Sequence, residues 1–157
     1  MRVGGLNEVS ESARSAIGLH QHDSYSAAGR TGEVIAGYLN TSMWPFPADP
    51  GWRYSGGDDE LRLSTQDQAV ETLRTCLRRG LAYDAELMSA QRASQLSTMF
   101  IGLLSPGAMW WTNVVHQWRH GSTALTTRNP LTDLTFDTGI IGLEHHSLAI
   151  AWFAEED

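Results

Sequence analysis

Two apolar runs close the chain. In Leu131–Asp157, LTDLTFDTGIIGLEHHSLAIAWFAEED, they are split by the short polar break Glu144–Ser147 and followed by three acids. Runs of this length around a turn predict a hairpin, with strands near 133–143 and 148–154. Upstream the spacing becomes helical. Ala69, Val70, Leu73, Cys76 and Leu77 form an apolar stripe, while Asp67, Glu71, Arg74 and Arg78 stand opposite with unlike charges a turn apart. This predicts a helix over 65–79, opened by Ser64 with Asp67 three residues on and stopped by Gly80. A second helix is expected over 84–104. Leu87, Leu96, Met99, Phe100 and Leu103 mark one side of it, and Ser105-Pro106-Gly107 ends it.

Residues 109–120, MWWTNVVHQWRH, fit either period. Their β-branched and aromatic content favours a strand, and His120-Gly121 can turn it into a partner over 122–128. With a further turn at Asn129-Pro130, the C-terminal part reads as a meander with strands near 109–119, 122–128, 133–143 and 148–154. Near the start, Val9, Ala13, Ala16 and Ile17 recur at helical spacing behind a cap at Asn7. Residues 21–32 read as loop, and Glu33–Leu39 fits helix or strand. In 40–60, Pro45, Pro47 and Pro50 exclude regular structure, yet Trp44, Phe46, Trp52 and Tyr54 sit among them. An ordered loop whose rings rest on the domain is expected there, with an exposed aromatic surface as the alternative. The expected class is α+β: one domain over 1–157, with two or three helices on one face of a C-terminal antiparallel β meander.

Charge narrows the partners. Eighteen acids face eleven basic residues, all of them arginine, for a formal net charge of −7. That balance disfavours nucleic acid and favours a basic protein partner. The lack of lysine removes Schiff-base chemistry and a phosphate-binding loop of the GxxxxGK type. One cysteine, Cys76, allows no disulfide within the chain, and its place on the apolar stripe makes it a core residue rather than a nucleophile. No sustained apolar stretch opens the chain and none approaches the ~18 residues of a membrane span, so a cytoplasmic protein with no membrane contact is expected.

Histidine and carboxylate are the remaining chemistry. His20-Gln21-His22 puts two rings on one side of an extended segment beside Asp23, but stops short of the HxHxDH pattern of metallo-β-lactamase-like hydrolases. His116 and His120 could share zinc on a helix; on a strand they lie about 13 Å apart. Gln117 follows His116, so the HExxH of a zinc protease is absent. Glu144-His145-His146 reads as a turn. No GxSxG or GxGxxG occurs, and Gly139 and Gly142 read as points of bending or close approach. No cofactor is called for.

From Leu131 onward the acids are Asp133, Asp137, Glu144, Glu155, Glu156 and Asp157, with no arginine. One reading is an edge strand kept soluble by charge. The other is a negative surface that steers a basic partner, with Trp44 and Trp52 supplying apolar contact. A small acidic α+β chain ending in FDTGIIGLEHHSLAIAWFAEED resembles, in general character, bacterial toxin-immunity proteins. The resemblance implies an inhibitor that occludes its target. The leading expectation is therefore a non-enzymatic protein-binding protein. The alternatives are a small hydrolase using His116, or His20 and His22, with a carboxylate, and a structural or oligomeric component.

Overall fold

A computed structural model describes residues 13–21, 61–119, 122–127, 130–132 and 134–156. Their order is β1 (Ala13–Gln21), β2 (Arg62–Ser64), α1 (Gln66–Arg78), α2 (Ala90–Ile101), β3 (Met109–Thr112), β4 (Val114–Arg119), β5 (Ser122–Thr127), β6 (Phe136–Glu144) and β7 (Ser147–Glu155). Five strands form one antiparallel sheet in the order β1-β7-β6-β3-β2, and β4 and β5 form a separate two-stranded ribbon. The mixed α+β class is as expected. No described helix is long and apolar enough to cross a membrane.

The first helix follows its stripe. Ala69, Leu73, Cys76 and Leu77 are buried, and Glu71 and Arg74 pair on the outer side. Its cap lies one residue later than expected. Thr65 Oγ1 accepts from the Gln68 amide at 3.1 Å, and Gln68 Oε1 accepts from the Thr65 amide at 3.0 Å. This reciprocal box satisfies two donors that the first turn would otherwise leave open. The second helix starts at Ala90, not at 84, with Ser89 as its cap. Asp84 has φ 52°, which no helix interior tolerates. It turns a small loop that closes Gly80 N–H onto Ala85 O at 2.9 Å and Leu87 N–H onto Arg78 O at 2.8 Å. Arg79 Nη1 fixes the same turn, donating to Asp84 O at 2.9 Å and to its carboxylate at 3.1 Å.

Two features of the sheet depart from the sequence reading. Ala13–Gln21 is a strand and not part of a helix; it pairs along its whole length with β7, from Ala13 opposite Glu155 to Gln21 opposite Ser147. Its alanines favour a helix locally, but a helix there would have little apolar bulk to bury. β7 left unpaired would expose nine residues of backbone ladder, so tertiary pairing decides. The expected meander is also broken. β3 pairs with β6 and with β2, whereas among the described residues β4 and β5 pair only with each other. The run 109–119 is interrupted at Asn113, where the chain leaves the sheet. The β6–β7 hairpin is as expected, with His145-His146 as its turn.

Residues paired directly across antiparallel strands share a face. Ile17, Ala151 and Ile140 thus lie on the same side as Leu19, Ala149, Gly142 and Trp110. That side forms one core cluster with Ala69, Leu73 and Leu77 of α1 and Ala93, Phe100 and Ile101 of α2. The opposite side, with Leu148, Ile150, Trp152, Ile141 and Leu143, is equally buried. Burial on both faces explains why β6 and β7 read as continuous apolar runs and not as an alternation.

Two of the indoles stand opposite a glycine. Gly142 stands opposite Trp110, and a Cβ there would meet the Trp110 ring at 2.5 Å and Leu104 Cδ1 at 2.7 Å. Gly139 stands opposite Trp152 on the other face, where a Cβ would meet Ala151 O at 2.2 Å and Trp152 Cα at 2.7 Å. These two glycines are points of close approach, as their place in the apolar run implies.

Candidate functional site

The C-terminal acids do not form one rim. Asp137 lies in β6 and is 1% exposed. Glu155 ends β7 at 9% exposure, sharing the helix-side face of the sheet through its pairing with Phe136 and Ala13. Glu144 lies at the far end of β6, opposite Ser147. Glu156 is exposed. Asp133 and Asp157 fall outside the described residues, as do Trp44 and Trp52. Residues 134–135 are bends, so the strand expected from 133 begins at Phe136.

Three of these carboxylates hold the fold together. Glu155 Oε2 accepts from the Leu81 amide at 2.7 Å and the Ala82 amide at 3.0 Å, tying the loop after α1 to the end of β7. Glu144 accepts from the Ser105 amide at 2.9 Å, fixing the segment after α2 to the other end of the sheet. Hydrogen bonds from Ser105 hold its carboxyl below the usual carboxylate range.

Asp137 is the chemical centre of the described structure. Its Oδ2 accepts from the Thr132 amide at 2.6 Å and its Oδ1 from Asn113 Nδ2 at 2.9 Å. The same Asn113 amide donates to Asp137 O at 3.1 Å. Beside it, Thr112 Oγ1 donates to Gly139 O at 2.7 Å and accepts from the Val114 amide at 3.2 Å. Burial pushes the Asp137 carboxyl from its ordinary value of 3.8 up to about 6, against hydrogen bonds from Thr132, Leu131 and Asn113 that lower it. Loss of water around the charge outweighs the donors supplied in its place.

That inequality gives a pH dependence. The folded protein holds the Asp137 proton more tightly than the unfolded chain. The resulting stabilisation is complete below about pH 4 and is lost as pH rises through about 6. Two pH units correspond to about 3 kcal/mol. Urea midpoints at pH 5 and 7.5 should therefore differ more in the wild type than in Asp137→Asn. Equal differences would remove Asp137 as the source.

The sequence reading singles out Asp137 but misses Asn113, Thr112 and Thr132, its partners and neighbours. A signal for Asn113 was present: it is the one residue of low strand propensity inside MWWTNVV.

The histidines are distributed. His20 lies in β1 opposite Leu148, and His116 lies in β4 opposite Leu125. His116 lies within a strand and not on a helix. His22 and His120 are outside the described residues. His145 and His146 are exposed in the β6–β7 turn, ring centres 6.5 Å apart. Among the described residues, no three His, Cys, Asp or Glu side chains converge as metal ligands do.

Cys76 is buried on α1, and burial pushes its thiol up to about 12. A neutral, inaccessible thiol reacts slowly. Labelling by a thiol reagent should follow global unfolding, rising with urea along the same curve as the loss of helix signal. Full labelling of the native protein within minutes would contradict this placement. Trp110 and Trp152 are core residues, with Trp110 tilted at 55° against Phe100 of α2.

Comparison with protein-family models, curated proteins and solved structures finds no match to the chain.

Proposed function

We propose that the protein binds a basic protein partner, in the manner of an inhibitor or immunity protein, and works by covering its target rather than by catalysis. The observation that carries this reading is the charge of the last segment: from Leu131 to Asp157 there are six acids and no arginine or lysine. Such a segment steers a cationic surface towards it and holds it through paired charge. The geometry supports a narrower set of contacts than the sequence suggested. Asp137, Glu144 and Glu155 take part in internal hydrogen bonds, so the partner contacts are assigned to Glu156, Asp133 and Asp157. Trp44 and Trp52, which lie outside the described residues, are proposed as further apolar contacts. A cytoplasmic setting belongs to the same proposal.

The test begins with capture on the immobilised chain at low salt, followed by a salt gradient. A basic protein retained stoichiometrically and released by salt is the expected result. Its association rate with an Asp133→Lys, Glu156→Lys double variant should fall about tenfold, with a shallower salt dependence. An unchanged rate and salt response would show that this surface is the wrong one.

A further inference from the structure

Residues 87–132 hold three arginines and none of the chain's eighteen acids. All of α2 lies in this stretch. Its only charged residue is Arg92, whereas α1 carries Asp67, Glu71, Arg74 and Arg78. The solvent side of α2 is neutral and partly apolar. Arg92, Leu96, Met99 and Leu103 follow one another at spacings of four, three and four, which places them in one line along a helix. Met99 is 67% exposed and Leu103 39%. Leu96 rests half-buried against the core cluster. Leu103 lies just past the helix and continues its turn, donating to Phe100 O at 3.1 Å. Gln91, Gln95 and Thr98, exposed and uncharged, complete the same solvent side.

We propose that this face of α2 docks a second copy of the chain, the two α2 helices lying antiparallel about a two-fold axis. Charge chooses the occupant. Two copies, each of formal net charge −7, repel where their acids meet, and the acid-free face lets them touch with least repulsion. The face also complements itself. The last turn of α2 contains no basic residue. An antiparallel pairing brings Arg92 of the second copy to that end, where its guanidinium meets the negative end of the helix dipole. Leu96 and Met99 of both copies then meet in the middle. Methionine adapts to such a contact because its side chain is unbranched. Twelve residues make a rod about 18 Å long. The contact is therefore smaller than a standard interface of about 800 Å² per partner, and the dissociation constant is expected at roughly 10–100 µM. This contact does not depend on the basic partner proposed above.

The experiment is sedimentation equilibrium of the full chain from about 1 µM to about 1 mM, at low and high salt. The mass should rise with concentration from one chain to two. Association should tighten as salt is raised, because the remaining net charges repel. Met99→Glu should weaken it about 100-fold, since the two-fold axis counts the change twice. Leu63→Glu, at a residue 70% exposed on β2, should leave it unchanged. Circular dichroism before each run checks that both variants keep the wild-type fold; glutamate suits an exposed helix position. A chain monomeric up to about 1 mM would overturn the proposal. So would an association that loosens with salt, the mark of acids pairing with arginines between copies, or one that grows past two chains or survives Met99→Glu. The wild-type mass and its salt dependence test the proposal without any variant.

Discussion

Gly139→Ala is expected to destabilise the protein by more than about 4 kcal/mol, enough to leave most of a domain of ordinary stability unfolded. The methyl would stand 2.2 Å from Ala151 O and 2.7 Å from Trp152 Cα, both backbone atoms of the neighbouring strand. No rotamer change relieves such a contact. The β6–β7 ladder must widen instead, and it runs through nine consecutive pairs at the centre of the sheet. Trp152 would be lifted at the same time, because its ring lies 2.7 Å from the same point. Gly142→Ala provides the contrast. There the three atoms nearest the methyl belong to side chains, two on the far edge of Trp110 and the Cδ1 of Leu104. A ring can tilt and a leucine can turn, so the expected cost is about 2 kcal/mol, typical of overfilling a core. Trp110→Leu should recover part of that loss in the double variant, and should recover nothing in combination with Gly139→Ala. Urea midpoints followed by circular dichroism measure all four variants. A Gly139→Ala protein that unfolds at the wild-type urea concentration would show that the two backbones are not this close.

The glycines illustrate what the sequence reveals. The run GIIGL between apolar neighbours marks close approach, because glycine inside a strand is otherwise unfavourable. It does not say which ring fills the space, since Trp110 and Trp152 come from different strands and different faces. The β6–β7 hairpin and α1 were legible for the same reason: their apolar positions carry the period, and their turn or cap residues lie within a few positions. β1 was not. Its Ala13, Ala16 and Ile17 fall at helical spacing and so point the wrong way, because its conformation is set by a partner more than a hundred residues away. The ribbon was half legible. The strand propensity of 109–119 is plain in the sequence, whereas the break at Asn113 depends on Asp137, which becomes its neighbour only after folding.

The acids were the least legible part. A carboxylate in a sequence does not state which way it points, and the segment from Leu131 onward reads as uniformly negative. In the fold its acids separate. Asp137 sits under the ribbon root, Glu144 secures Ser105, Glu155 secures Leu81 and Ala82, and Glu156 meets solvent. Charge reversal across all of them would therefore mix folding with binding. Only substitutions at the outward members test a partner surface cleanly.

Glu155 makes that separation measurable. Glu155→Ala is expected to lower stability by about 4 kcal/mol, because two hydrogen bonds to an ionised acceptor are lost and two amides in a half-buried loop are left to find water. Glu155→Gln keeps an acceptor oxygen at the same reach and should cost about 1 kcal/mol. The pair distinguishes a structural acceptor from a surface charge, since both variants remove the same charge and only one removes the acceptor. Amide exchange at Leu81 and Ala82 should accelerate strongly in the alanine variant and modestly in the glutamine variant. Partner association, measured where both remain folded, should change little in either, because the carboxylate faces the loop after α1. If Glu155→Ala instead keeps wild-type stability and slows association as much as Glu156→Lys does, the carboxylate belongs to the partner-facing set after all. The loop at 80–82 would then have to be held by the Arg79–Asp84 turn alone.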